Sequence, residues 1–105
     1  MRSACIIYTT TGSLKEARHL SKIILKSKLA ACIQISSAIE SRYNWKGKTC
    51  KGKEYSLAIK TRTTLYKKIE ACILANHTYE LPQIVAVPVI NGSVDYLKWL
   101  KTETL

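Results

Sequence analysis

Two side chains in the last third of the chain could together bind a divalent metal ion. His77 and Glu80 lie three residues apart, and a neutral imidazole and a carboxylate both suit divalent first-row ions. Metal sites in proteins usually need three or four ligands, so this pair would need a third ligand, for example from another subunit. Alternatively, both side chains hydrogen-bond to the backbone and hold the turn that ends at Pro82. The sequence leaves both interpretations open.

A second set of side chains could line a cleft for a small ligand. Tyr43 and Trp45 offer aromatic surface, which could equally pack against a neighbouring subunit, since aromatic residues are common anchors of interfaces. Lys60 could present a point charge to an anionic ligand, or it could be a solvated residue at a strand end. We therefore predict a ligand cleft formed by Tyr43, Trp45, Lys60 and Tyr79.

No catalytic residues are predicted, and we do not expect an enzyme. A Ser or Cys nucleophile would need a paired base and a third group to orient that base. The chain has two histidines, His19 and His77, and neither is plausibly spaced from a nucleophile. Its four cysteines lack the short spacing of zinc sites and redox motifs. We also expect no obligatory cofactor, although copper or another divalent cation could bind.

The elements that must position these residues are organised around residues 29–61. Apolar and polar side chains alternate along two long arms, as is typical of half-buried strands, and Lys46-Gly47-Lys48 predicts the turn between them. At about 3.3 Å per residue, arms of roughly 15 residues give a hairpin on the order of 50 Å long. A chain of this size is only roughly 35 Å wide. We therefore expect the hairpin to extend beyond its own subunit and to pair with another copy of the chain.

The remaining predicted elements lie on both sides of this hairpin. A capping box formed by Ser13 and Glu16 begins the first helix, and the uniformly apolar residues 83–90 are typical of a strand covered on both faces. The order β-α-β-β-α-β with an extra C-terminal helix predicts an α+β, ferredoxin-like sandwich whose second sheet face is covered by oligomerisation. The predicted bounds are a strand over residues 3–9, a helix from Ser13 to about Lys28, a helix from Thr61 or Thr63 to Asn76, a strand over residues 83–90 and a helix capped by Ser93.

Composition limits the class of protein. The 105 residues suit a single domain, and none of the apolar runs approaches the length of a membrane span. The N-terminus lacks the pattern of a signal peptide, so we expect a cytoplasmic protein. The net charge is +10, but the lysines are spread along the chain without a nucleic-acid-binding motif. Nucleic acid is therefore not expected as a partner, because charge alone bears on solubility and non-specific attraction.

Five segments, taken in order, resemble the CutA family of divalent-cation tolerance proteins. Three of them lie at residues 28–33, 43–48 and 59–61. Residues 77–82 resemble the family signature His-Pro-Tyr-Glu-x-Pro, and residues 91–100 resemble its closing helix. The resemblance implies a ferredoxin-like subunit in a tight homotrimer, with an architecture similar to that of the PII signalling proteins. It also implies a role in tolerance to copper and other divalent metals, without enzymatic activity.

Two positions depart from the family pattern. Thr78 stands where the signature usually has Pro, so the turn after His77 is expected to be less preorganised. Some relatives have a Cys near the end of the first strand that has been suggested as a metal ligand, whereas this chain has Tyr8 and Thr9 there. We predict a homotrimeric divalent-cation (copper) tolerance protein that binds metal weakly through His77 and Glu80. The alternative is a PII-like trimeric sensor or scaffold that binds a small anionic ligand or a partner protein in clefts between subunits.

Overall fold

A computed structural model of the chain describes residues 3–105. A single turn of 3-10 helix, Thr63–Leu65, precedes the second α-helix. None of the helices within the described range is long and apolar enough to cross a membrane. The strands and α-helices of this range are β1 (Ala4–Thr11), α1 (Leu14–Lys26), β2 (Cys32–Ile35), β3 (Ile39–Trp45), β4 (Lys48–Arg62), α2 (Tyr66–Asn76), β5 (Val85–Pro88) and α3 (Val94–Thr102).

All five strands described belong to one antiparallel sheet. Its order is β2-β4-β1-β5, and β3 pairs with the first half of β4. Because β2 and β3 follow one another along the same partner strand, they occupy one position of the sheet. The resulting order of positions, with β1 and β4 in the centre, is that of the ferredoxin-like fold. The predicted fold class is therefore confirmed.

The core lies between one face of this sheet and helices α1 and α2. Period-two alternation directs Ile7, Leu57 and Ile59 to this face, and all three are fully buried. Complete burial of each such side chain contributes about 1.5–3 kcal/mol to folding. The helices complete the core with apolar side chains at helical spacing, namely Leu20, Ile24, Ile69 and Ile73.

The helix ends differ in detail from those predicted. The Oγ of Ser13 accepts the Glu16 N–H at 3.1 Å, which confirms the start of α1. The helix ends at Lys26, and Lys28 adopts a left-handed φ of 57° that cannot continue it. The prediction that Thr61 or Thr63 caps the second helix is wrong. Thr61 is a buried residue of β4 whose hydroxyl donates to the Leu29 carbonyl, and α2 begins only after the 3-10 turn.

The central hairpin is confirmed, but its first arm is interrupted. Residues 36–38 leave the ladder, where Ser36 exchanges hydrogen bonds of 2.9 and 2.8 Å with Ser56. Lys46 and Gly47 form the turn with φ of 50° and 80°, as a two-residue type I′ hairpin requires. We call residues 39–54 the ribbon, because this part of the hairpin continues beyond the pairing of β4 with β1. β4 has the 15 residues predicted for one arm, and the described chain measures 44 × 26 × 24 Å along its principal axes.

The prediction that residues 83–90 form a strand covered on both faces is wrong for the single chain. Only Val85–Pro88 form a strand, β5, and all four residues are exposed. Within residues 3–105, β5 pairs only with β1, so it is an edge strand. Pro88 is its last residue, in agreement with the expectation that a residue without an N–H lies at a strand end.

Candidate functional site

The imidazole of His77 holds the segment after α2 against the end of β1. Its side chain is 1% exposed. Nε2 lies 2.7 Å from the carbonyl oxygen of Thr10, and Nδ1 accepts the backbone N–H of Tyr79 at 3.1 Å. A carbonyl can only accept, so Nε2 carries the proton and Nδ1 presents its lone pair to Tyr79. Both ring nitrogens are thus engaged within the chain, which agrees with the interpretation of His77 as the residue that holds the turn.

Glu16, in the first turn of α1, binds the same segment from the other side. One carboxylate oxygen accepts both the N–H and the hydroxyl of Thr78, each at 3.0 Å. The same oxygen lies 3.7 Å from Nδ1 of His77. The capping box accounted for this carboxylate in the sequence, and its contact with Thr78 was not predicted. The sequence offered a signal, because a Thr in place of Pro adds two hydrogen-bond donors that need an acceptor.

Tyr79 connects this segment to the ribbon of the same chain. Its hydroxyl donates to a carboxylate oxygen of Glu54 at 2.8 Å. Burial, followed by this hydrogen bond, raises the pKa of Tyr79 to about 12, so the phenol remains a donor at neutral pH. For Glu54, burial acts to raise the pKa, but hydrogen bonds from Ser41, Tyr79 and Thr10 together hold the pKa below its usual value. The carboxylate is therefore ionised at neutral pH.

An open groove of about 890 Å³ separates the ribbon from the segment after His77. It brings together four predicted site residues, since Tyr43 and Trp45 lie on one wall and Tyr79 and Glu80 on the other. Glu54 and Arg42 add charges to the lining, and Glu80 is exposed. The complete lining consists of Thr10, Ser41, Arg42, Tyr43, Asn44, Trp45, Glu54, Tyr79, Glu80, Leu81, Pro82 and Gln83.

Lys60 is not part of this groove. It alternates with the buried Ile59 and therefore projects from the opposite sheet face, where its ammonium lies 5.6 Å from the ring centre of Tyr96 in α3. A cleft that includes Lys60 together with Tyr43 and Trp45 would need a second copy of the chain. Residues 3–105 also contain no group of three His, Cys, Asp or Glu side chains that could hold an ion.

Comparisons with known proteins give a consistent result. The model of the CutA1 divalent ion tolerance protein family matches residues 5–103. The chloroplastic protein CutA of Arabidopsis thaliana is 39% identical over 99 residues, which cover 94% of this chain and 54% of the relative. The divalent-cation tolerance protein CutA of Thermus thermophilus is 34% identical, and the match covers 94% of this chain and 96% of the relative. The chain thus spans about half the length of the plant relative.

Solved structures support the same relationship. The crystal structure of CutA1 from Oryza sativa matches with a TM-score of 0.95 and 36% identity, over 99% of this chain and 95% of that one. The periplasmic CutA from Archaeoglobus fulgidus matches with a TM-score of 0.92 and 34% identity, over 95% and 97%. Relatives are thus described as periplasmic and as chloroplastic. The prediction of a cytoplasmic location, which rested on the N-terminal sequence, is wrong.

Proposed function

The chain belongs to the CutA1 divalent ion tolerance protein family, and on this premise we propose that it acts in tolerance to divalent cations, including copper, as a non-catalytic homotrimer that binds ions weakly. Membership of the family is the observation that carries the proposal. The family is known for divalent-cation tolerance and is not a known enzyme family, which favours ion binding over catalysis. The absence of a nucleophile with a paired base in the sequence points in the same direction.

Uncovered apolar surface supports the trimer. Val85 and Val87 pair with Tyr8 and Ile6, which places all four on the sheet face opposite the core. The two valines are 48% and 47% exposed. Trp99 in α3 adds a further large side chain that is 42% exposed. A contiguous apolar face of this kind marks an interaction surface, and copies of the same chain are the occupants that we propose.

The geometry of the candidate ligands supports weak rather than tight metal binding. Glu80 is exposed and can offer its carboxylate directly. His77 can offer a lone pair only after its Nδ1 releases the N–H of Tyr79, so binding has to compete with a hydrogen bond. Cu(II) is the divalent first-row ion for which such nitrogen and oxygen ligands have the highest affinity. We therefore propose that copper binds at Glu80 with His77, and that another subunit completes the site.

Titration calorimetry with Cu(II) tests this assignment. We expect His77→Ala and Glu80→Gln each to weaken binding by at least about fivefold, which is the loss of roughly 1 kcal/mol. His19→Ala is the matched control, because His19 is an exposed histidine of α1 that does not line the groove. Circular dichroism establishes that each variant is folded. Equal copper affinity in the wild type and the two site variants would show that the site is assigned to the wrong residues.

A PII-like sensor or scaffold remains the second candidate function. The groove favours it, because about 890 Å³ lined by Tyr43, Trp45 and Tyr79 suits a small molecule. A contact between an anionic ligand in this groove and Lys60 would need a neighbouring subunit, since the Lys60 of the same chain lies on another face. A thermal-shift screen at low salt with nucleotides and organic anions tests this function. A screen that finds no stabilising compound would count against it.

A further inference from the structure

The ribbon has two chemically different faces. Cross-strand pairing places Lys51 opposite Arg42 and Lys53 opposite Glu40. Because successive side chains of a strand point to opposite faces, these residues share one side, which we call the lysine face. Tyr43 and Trp45 belong to the other side and line the groove. Lys46 and Lys48 lie at the tip, in and directly after the turn.

The positive charges of the ribbon are not neutralised within the chain. The two acidic residues of residues 39–54 are both engaged, since Glu40 binds Arg42 at 2.9 Å and Glu54 accepts from Tyr79. Four exposed lysines remain. Among the side chains of residues 3–105, no carboxylate lies within ion-pair distance of their ammonium groups. These lysines are Lys46, Lys48, Lys51 and Lys53.

This distribution of charge is unfavourable for the isolated ribbon. Arg42 and Lys51 are directly opposite each other in the ladder, and like charges at such positions destabilise a strand pair. The lysine face also carries Thr49 and Asn44, so it offers no apolar anchor that would favour insertion into a membrane surface. A polyanion bound along this face would relieve the repulsion between Arg42 and Lys51.

We propose that the tip and the lysine face of the ribbon bind the phosphate backbone of a nucleic acid duplex without regard to its sequence. A two-stranded antiparallel ribbon fits the major groove of DNA. Lys51 and Lys53 are separated by about 6.6 Å along the strand, close to two steps of about 3.4 Å between phosphates along the duplex axis. The proposal goes beyond metal tolerance, and it is compatible with a trimer contact that uses the opposite, aromatic face. The spread of lysines along the sequence did not favour nucleic acid as a partner, because only the strand pairing shows that Lys51 and Lys53 share a face with Arg42.

Two alternative roles of the four lysines lead to different expectations. Charged residues on a free strand edge prevent aggregation. The segment of β4 that precedes Tyr55 has such an edge, because within residues 3–105 it pairs only with β3. In that case the lysines would control self-association and not duplex binding. A basic patch could also bind an anionic lipid surface. In that case removal of the lysines would weaken binding to anionic vesicles and leave binding to duplexes unchanged.

Fluorescence anisotropy with a labelled DNA duplex of about two helical turns tests the proposal on the full chain. One variant replaces Lys46, Lys48, Lys51 and Lys53 with Gln. The matched control replaces four exposed lysines elsewhere, and each variant then carries a net charge of +6 instead of +10. Binding is measured from about 50 to 200 mM salt. Circular dichroism and size-exclusion chromatography accompany each measurement, and the control lysines are Lys15, Lys22, Lys68 and Lys98.

The ribbon variant should bind at least about tenfold more weakly than the wild type at ~50 mM salt. If each lysine contacts one phosphate, the slope of log K against log salt should fall in magnitude by about 3–4. The control variant should change affinity less than about threefold.

Equal losses in both variants would overturn the proposal in favour of net charge alone. A ribbon variant that aggregates but binds duplexes like the wild type would overturn it in favour of edge protection. Loss of binding to phosphatidylserine vesicles with unchanged duplex binding would overturn it in favour of a membrane surface.

Discussion

Thr78 fixes the segment after His77 by hydrogen bonds, whereas the proline of the family signature would restrict the backbone at this position. The signature that residues 77–82 resemble has Pro at this position, which would restrict the backbone but lack an N–H. Thr78 instead donates its N–H and its hydroxyl to Glu16 at 3.0 Å. With His77 fixed to the Thr10 carbonyl, the segment is attached both to α1 and to β1. The loss of preorganisation expected from the sequence is thus offset by two hydrogen bonds.

Tyr79→Phe should weaken the attachment of this segment to the ribbon. The substitution removes the hydrogen bond from the phenol to Glu54, and we expect it to lower the free energy of unfolding by about 1 kcal/mol. It should also raise the pKa of Glu54, because one of the hydrogen bonds that hold the carboxylate in its ionised form is lost. Urea denaturation measures the first effect and an NMR titration of the Glu54 carboxyl measures the second.

The same hydrogen bond gives a dependence of stability on pH. The pKa of Glu54 is lower in the folded chain than its usual value of 4.5, so the unfolded chain takes up the proton first. The stabilisation is present above pH 4.5 and is lost as the pH falls through the lower folded pKa. Tyr79→Phe should lose less stability on acidification than the wild type does. Tyr43→Phe, in the same groove, serves as the control, and an equal acid response of wild type and Tyr79→Phe would contradict the assignment.

The sequence predicted part of the candidate site and could have excluded Lys60. Tyr43, Trp45 and Tyr79 do line one groove, because the alternation and the turn define the aromatic face of the hairpin. Lys60 lies six residues beyond Glu54 on the same strand, which is about 20 Å at the rise of a strand. That distance alone separates it from the ribbon. The contact of Tyr79 with Glu54 depends on where the segment after α2 packs, which periodicity does not specify.

At the scale of the elements, the hairpin and the connection from β1 to α1 followed from local patterns. The capping box predicted the start of α1 to the residue, and Lys46-Gly47-Lys48 predicted the position of the turn. Two errors have a common cause. Thr61 has the side chain of a helix cap but is buried in β4, and β5 has the composition of a central strand but forms a sheet edge. In both cases tertiary packing, and not local propensity, determines where the segment lies in the fold.

Gly47→Ala should loosen the ribbon. Gly47 has a φ of 80°, and a left-handed conformation costs an L-residue roughly 1–2 kcal/mol. Amide hydrogen exchange in the ribbon should therefore accelerate about fivefold or more. Gly52→Ala is the control, because Gly52 has ordinary φ and open space around its Cα. This second change should leave exchange unchanged or slow it, since Ala restricts the unfolded chain more than Gly does. Equal acceleration in both variants would contradict the type I′ turn as the cause.

At the scale of the whole molecule, the two sheet faces differ in how far they are covered. The face under α1 and α2 forms the core, where Ile7 and Ile59 are fully buried. The opposite face is only partly covered by α3, through contacts such as Lys60 with Tyr96. A domain of about 100 residues gains limited stability from one core, so burial of this second face in an oligomer would add substantially to it. The sequence predicted that the second sheet face is left partly uncovered by the single chain, and the structure agrees with this. That an oligomer covers this face, and that it has three subunits, remain predictions.

Val87→Lys tests the homotrimer directly. Val87 lies on edge strand β5, opposite Ile6, and is 47% exposed. Size-exclusion chromatography with light scattering should give three times the chain mass for the wild type. The charged variant should dissociate at micromolar concentration, because a lysine ammonium in an apolar interface loses its hydration without gaining a partner. Leu74→Lys is the matched control, since Leu74 is 57% exposed on α2, on the other side of the molecule. A control that dissociates as the site variant does would place the interface elsewhere, and a monomeric wild type would exclude the trimer altogether.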